Sequence, residues 1–292
     1  MPSIATEMIV HSAIADLRDA IAKARAAGER VGFVPTMGAL HRGHISLVER
    51  AKREAGMTVM SIFVNPLQFA PGEDLAKYPR PIDADERSAA ESGVDILFRP
   101  EASVMYPGDR AITVTSGELG GDWEGKSRPG HFDGVLTVVA KLFNIVQPDF
   151  AVFGRKDLQQ AALVQALVRD LNMPLSIVLA PIVREDDGLA LSSRNRYLSS
   201  DERKQATVLN RALSAVTRQF AEGDRETAVL EAAGRRVISS ESEVKCDYLA
   251  VVDPATFKRA KAAEPHFAAI VAARVGKTRL IDNMTVGGDD QD

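Results

Sequence analysis

The chain has 292 residues, 45% of them hydrophobic and 26% charged, and carries a formal net charge of −4. That length suits two domains, or one large α/β domain with an appendage, and the apolar share excludes whole-chain disorder or a fibrous repeat. The slight acidity supplies no field that would draw the protein to nucleic acid or an anionic membrane, though it is compatible with a local basic pocket.

The first 17 residues show no basic region followed by an apolar run and a small-residue cleavage site, and no stretch reaches transmembrane length. Cys246 is the only cysteine and so has no intrachain disulfide partner. It reads as an inert small side chain in a reducing compartment, which makes a cytoplasmic location the expectation. Ile14, Leu17 and Ile21 predict a first helix. β-rich runs then follow at 31–34, 58–64, 94–98, 150–153 and 175–178. Helical spacing returns between them at Leu136, Val139, Leu142 and Val146, stopping at Pro148, and again over 157–171. Alternation of this kind predicts an α/β class, a Rossmann-like parallel sheet with helices on both faces.

After Val183 the chain turns polar, and a Ser199-x-x-Glu202 capping box opens a helix with Ala206, Leu209, Leu213, Val216 and Phe220 on one stripe. A second helix near 228–238 and short strands near 248–252 and 267–273 complete a small α+β domain. The expected division is 1–183 and 184–292, with the GGDDQD tail a solvated end.

Chemistry-bearing residues cluster where strands hand over to helices. Residues 35–44, PTMGALHRGH, follow the first β-rich run and precede a helical pattern at Ile45, Leu47, Val48 and Ala51. Open α/β sheets bind ligands at that place; a helix start attracts phosphate, and Gly38 and Gly43 permit close backbone approach. His41 and His44 can both donate hydrogen bonds to phosphoryl oxygens, most usefully where charge grows in a transition state at phosphorus. At 63–69, FVNPLQF, the amides of Asn65 and Gln68 suit hydroxyl and carbonyl groups, and for Asn65 ordinary turn chemistry is an equal reading. HFDGVL at 131–136 opens a helix, and GRKDLQQ at 154–160 repeats the strand-to-helix arrangement. Lys156 is a positive charge where an anion is expected; Asp157 can cap the helix or reach Mg²⁺ through water; Gln160 lies one turn along. At the domain junction Ser192, Ser193 and Arg194 suit a polyphosphate, or form a polar linker.

The His41-Arg42-Gly43-His44 string resembles the HIGH motif of the nucleotidyltransferase superfamily. In order and spacing, PTMGALHRGH, FVNPLQF, GRKDLQQ and SSRNRYLS together resemble the pantothenate synthetase family, over about 31–198, with a weaker echo at 278–283, TRLIDN. The resemblance implies an ATP-dependent ligase that joins pantoate to β-alanine through a pantoyl-adenylate, releasing AMP and pyrophosphate, and working as a homodimer with a C-terminal lid. It makes His44, His41, Lys156 and Arg194 catalytic. ATP contacts fall on Met37, His41, His44, Gly154, Lys156, Asp157, Val183, Leu191, Ser192, Ser193 and Arg194, and pantoate contacts on Pro35, Met37, Gln68 and Gln160. It also implies Mg²⁺ near Asp85, although Ala84 stands where an acidic residue often occurs, and Arg155 is a second departure. The rivals are a nucleotidyltransferase acting on a phosphorylated alcohol and a non-catalytic nucleotide-binding regulator; a tRNA synthetase is disfavoured by the short chain.

Overall fold

The structure, a computed structural model, describes residues 8–70, 72–260 and 262–287. Residues 1–7 of the N-terminal stretch and 288–292 of the tail read as solvated lie outside the described residues. The chain forms two compact units. One runs to Arg155 and takes in Leu163–Pro181; the other comprises Lys156–Ala162 and the chain from Ile182 onward.

The first unit is built on a parallel sheet. Its strands in chain order are β1 (Ile9–His11), β2 (Val31–Thr36), β3 (Met57–Ile62), β4 (Ile96–Phe98), β5 (Phe150–Gly154) and β6 (Ser176–Ala180), and in space they run β1-β4-β3-β2-β5-β6. The helices between them are α1 (Ile14–Ala26), α2 (Arg42–Lys52), α3 (Ile82–Glu91), the short α4 (Ala102–Met105) and α5 (Glu124–Ser127), α6 (His131–Val146) and α7 (Leu158–Asp170). Alternation along each strand fills both faces. Phe33, Val59, Phe98 and Phe153 pack with Leu17 and Ile21 of α1 and Leu136, Val139 and Leu142 of α6. Val34, Met60, Leu97 and Val152 pack with Leu47, Val48 and Ala51 of α2 and Ala89 of α3. Strands buried on both sides read as continuous apolar runs, which is why four of the five β-rich runs stand out so plainly in the sequence.

The second unit is an antiparallel meander of β7 (Val244–Val252), β8 (Phe267–Val275) and β9 (Thr278–Val286). Its core joins Val251, Ala269, Val271 and Leu280 of the sheet to Leu209, Leu213, Val216 and Leu230 of the helices. The predicted capping box is present, with Ser199 Oγ accepting from Glu202 N and Glu202 accepting from Ser199 N. The single helix expected after it is two, α8 (Ser200–Ala206) and α9 (Val208–Ala221), followed by α10 (Thr227–Ile238). Thr207 causes the break: both its N–H, at 3.3 Å, and its hydroxyl, at 2.7 Å, donate to the Lys204 carbonyl, tightening the turn from a four-residue to a three-residue step. An α/β class with a small α+β C-terminal portion is thus what the chain adopts.

Candidate active site

In the first unit β2 lies between β3 and β5, the place where the order of strands reverses. β2 pairs with β3 along its whole length, from Val31–Met57 to Thr36–Ile62, but with β5 only at Gly32–Phe150 and Phe33–Ala151. Pro35, without an N–H, cannot extend that second ladder. The strands part beyond Phe33, and the C-terminal ends carrying Pro35, Met37 and Gly154 flank the gap, which is where ligands enter open α/β sheets. Pro35, Met37 and Gly154 are half-buried.

Helix α2 starts three residues earlier than its apolar pattern suggests, because His41 is its N-cap. His41 Nδ1 accepts from Gly43 N at 3.1 Å, and His44 Nδ1 accepts from His41 N at 3.3 Å, a capping box made from two imidazoles with ring centroids 4.1 Å apart. In a neutral ring, acceptance at Nδ1 puts the proton on Nε2. Both rings therefore present a donor at Nε2, at the positive end of a helix.

Ahead of the helix, Gly38 (φ 80°) and Ala39 (φ 51°) both adopt left-handed backbone. A side chain at 38 would meet Asp85 Oδ2 at 2.8 Å. Asp85 is 3% exposed, and its two carboxylate oxygens accept from Ala39 N and Leu40 N, each at 2.8 Å. Consecutive N–H groups in such a turn form an anion-binding concavity, and here the anion is the protein's own carboxylate. Asp85 is in this way the clamp on the histidine loop. Among the described residues no three His, Cys, Asp or Glu groups gather in a way that could hold a metal ion.

Beyond β3, a 3-10 turn at Pro66–Gln68 carries Gln68, 8% exposed. Its side-chain Oε1 accepts from Asn65 Nδ2 at 3.1 Å. Its backbone carbonyl is held by His131 Nδ1 at 2.8 Å and Arg128 Nη2 at 3.3 Å, and Arg128 is clamped by Glu73 at 2.7 and 2.8 Å. The Arg128 hydrogen bond holds the Glu73 carboxyl below the usual range, against the opposing effect of burial. The turn lies so close to α6 that a Cβ on Gly134 would sit 2.2 Å from Leu67 O.

The second unit assembles the remaining predicted residues around β9. Asn283 Nδ2 donates to Lys156 O at 2.9 Å, and the Asn283 carbonyl accepts from Arg184 Nη2 at 3.2 Å. Arg184 also forks onto Asp282, 3% exposed, at 2.7 and 3.0 Å. Leu191 N donates to Val183 O at 3.0 Å, so Val183 and Leu191 are neighbours, and Ser192 follows as the cap of a 3-10 turn at Ser193–Tyr197, its Oγ accepting from Arg194 N at 3.2 Å. Lys156 is thus tied to β9 through Asn283, while Val183 with Leu191 and Ser192 with Arg194 form two further local hydrogen-bonded pairs. Asp157 is exposed and Gln160 half-buried at the start of α7.

Comparison with known proteins gives this arrangement its context. The family model described as pantoate-beta-alanine ligase matches residues 9–285. The chain belongs to that family. A pantothenate synthetase of Caldicellulosiruptor saccharolyticus is 48% identical over 279 residues, covering 96% of this chain and 99% of that one. The crystal structure of the Thermus thermophilus pantothenate synthetase superposes with a TM-score of 0.91 at 49% identity, covering 96% and 100%. That of the Francisella tularensis pantoate-beta-alanine ligase, complexed with beta-gamma ATP and beta-alanine, gives 0.75 at 33% identity, covering 95% and 97%.

Three supporting residues, Arg128, Tyr106 and Arg184, escape a reading of the sequence, and Asp282 and Asn283 show in it only weakly. The echo at 278–283 is the one trace of the last two, since a strand with Asp282 and Asn283 buried at adjacent positions has no reason to exist unless those polar groups are bonded.

Proposed function

We propose that the protein catalyses its family's reaction with the following division of labour: pantoate's carboxylate attacks the α-phosphorus of ATP, pyrophosphate leaves, and the amine of β-alanine then attacks the carbonyl of the pantoyl-adenylate, releasing AMP and pantothenate. His41 and His44 donate from Nε2 to phosphoryl oxygens, where negative charge grows in the first step. Lys156, Ser192, Ser193 and Arg194 neutralise and orient the rest of the triphosphate, with Met37, Gly154, Asp157, Val183 and Leu191 completing the nucleotide contacts. Gln68 and Gln160 hold the hydroxy acid against Pro35 and Met37. None of the groups assigned here is used as a covalent nucleophile, so positioning and charge neutralisation account for the rate.

The observation that carries this reading is the reciprocal histidine cap on α2, which presents two Nε2–H donors where the strand order reverses. Mg²⁺ is needed, in this reading, only as part of the co-substrate, since a cation held by phosphate oxygens and water requires few protein ligands. The homodimer, closure of 184–292 over the adenylate and a cytoplasmic location belong to the same proposal. No helix among the described residues is long and apolar enough to cross a membrane.

The test is direct. Protein supplied with ATP, Mg²⁺ and pantoate releases pyrophosphate, and β-alanine added afterwards yields the amide and AMP. Pyrophosphate that appears without pantoate, or a stable nucleotidyl product indifferent to β-alanine, defeats the reading. Gln160→Ala raises the KM for pantoate more than that for ATP; equal rises remove Gln160 from the pantoate site.

A further inference from the structure

The side chains behind Gln68 form a chain of hydrogen bonds whose direction is fixed at every link. Asn65, 1% exposed, has four hydrogen bonds: Oδ1 accepts from Leu67 N at 3.3 Å and from the Tyr106 hydroxyl at 2.8 Å, while Nδ2 donates to Gly134 O at 3.1 Å and to Gln68 Oε1 at 3.1 Å. A side-chain amide offers two donors and an oxygen with two lone pairs, so Asn65 is saturated and has no capacity left for a ligand. Its orientation is also determined. Turning the amide over would set its NH₂ against the Leu67 N–H and strand the Gly134 carbonyl.

The oxygen side of this lock depends mainly on Tyr106, because the Leu67 bond is long. Tyr106 follows Met105, which is fully buried, and its ring packs 5.9 Å from that of Phe63, with Lys141 Nζ 5.7 Å above it. With Gln68 Oε1 taken by Asn65, the face of Gln68 left for a ligand is its NH₂; among the described residues nothing accepts from it. An NH₂ can serve only an acceptor, such as a hydroxyl or carboxylate oxygen.

We infer that Tyr106 is a positioning residue for the hydroxy acid: its hydroxyl locks Asn65, Asn65 holds the carbonyl of Gln68, and Gln68 turns its NH₂ to an oxygen of pantoate. This rests on the assignment of Gln68 to pantoate given above. Burial pushes the Tyr106 hydroxyl up to about 12, so it stays a donor throughout the working range of pH.

The test separates the two substrates. Tyr106→Phe removes one hydroxyl and keeps the ring; it raises the KM for pantoate about fivefold, lowers the melting temperature slightly and leaves the KM for ATP unchanged. Asn65→Asp can donate neither to Gln68 nor to the Gly134 carbonyl, so it melts lower; the Gln68 amide reverses to donate to the new carboxylate, and pantoate affinity falls further while ATP affinity does not. A pantoate KM that moves less than about twofold, or that rises in step with the ATP KM, overturns the inference, as does a lowered melting temperature with both KM values unchanged. Should Tyr106→Phe fail to fold, Asn65→Asp decides by the pantoate KM relative to the ATP KM alone. Failure of the underlying reading looks different: Gln68→Ala then leaves the pantoate KM unchanged.

Discussion

At the scale of the residue, a neutral imidazole has one acceptor and one donor, and at 41 and 44 the acceptor is committed to the backbone. This separates two tasks that a simple truncation confuses. His44→Ala loses both the cap and the Nε2 donor, so adenylate formation falls about 10²- to 10³-fold, and stability falls by about 1 kcal/mol. His44→Asn places an amide oxygen near the position of Nδ1 and nothing at Nε2. It is expected to melt as the unaltered protein does, yet to release pyrophosphate as slowly as the alanine variant. Recovery of turnover in the asparagine variant, followed by pyrophosphate release alongside a thermal melt, would mean that the cap and not the donor is what the reaction needs.

At the scale of the element, Gly134 decides how close α6 comes to the 3-10 turn carrying Gln68. Alanine there removes the penalty of glycine in a helix, worth about 1 kcal/mol. It also drives a methyl to 2.2 Å from the Leu67 carbonyl, which is backbone and cannot swing aside. Overpacking of this kind costs about 1–3 kcal/mol, so the clash outweighs the gain. Gly134→Ala should therefore lower the denaturation midpoint and, by displacing Gln68, raise the pantoate KM, both measurable on one preparation. The same pair of elements marks the limit of what the chain discloses about itself. The central strands and α1, α2 and α6 are legible because each buries a regular apolar pattern. β1, with two exposed residues out of three, offers no such pattern, and α3 carries Asp85 inward where apolar spacing would demand a hydrophobic residue. β9 hides for a related reason, since its buried Asp282 and Asn283 serve Arg184 and Lys156. The motifs that bear chemistry are readable one by one. Their supports are not, because Asp85 finds its partners 45 and 46 residues away and Asn65 reaches Gly134 across 69.

At the scale of the whole molecule, carboxylates that anchor arginines tie stability to pH in each of the two units. Glu73 holds Arg128 behind Gln68, and its carboxyl lies below the ordinary 4.5 of a glutamate chiefly through the Arg128 hydrogen bond. Asp187 holds Arg203 at 2.6 and 3.1 Å; burial raises its carboxyl, but the Arg203 bonds and the Leu189 N–H together more than offset this and leave it below 3.8. A carboxyl depressed in the folded state binds its proton later than in the unfolded chain, so the unfolded state carries more protons at mildly acid pH. The stabilisation is fully present above the unfolded values and disappears as pH falls through the folded ones. The melting temperature should accordingly be flat from neutrality down to about pH 5 and fall steeply below it. Glu73→Gln keeps the shape of the side chain but has no proton to gain. It should melt lower at neutral pH and show a shallower acid limb, whereas an acid limb as steep as that of the unaltered protein would place the responsible carboxylates elsewhere. Because Arg128 also grips the Gln68 carbonyl at 3.3 Å, the same variant should weaken pantoate at neutral pH, which links the acid stability of this unit to the polarity of its substrate site.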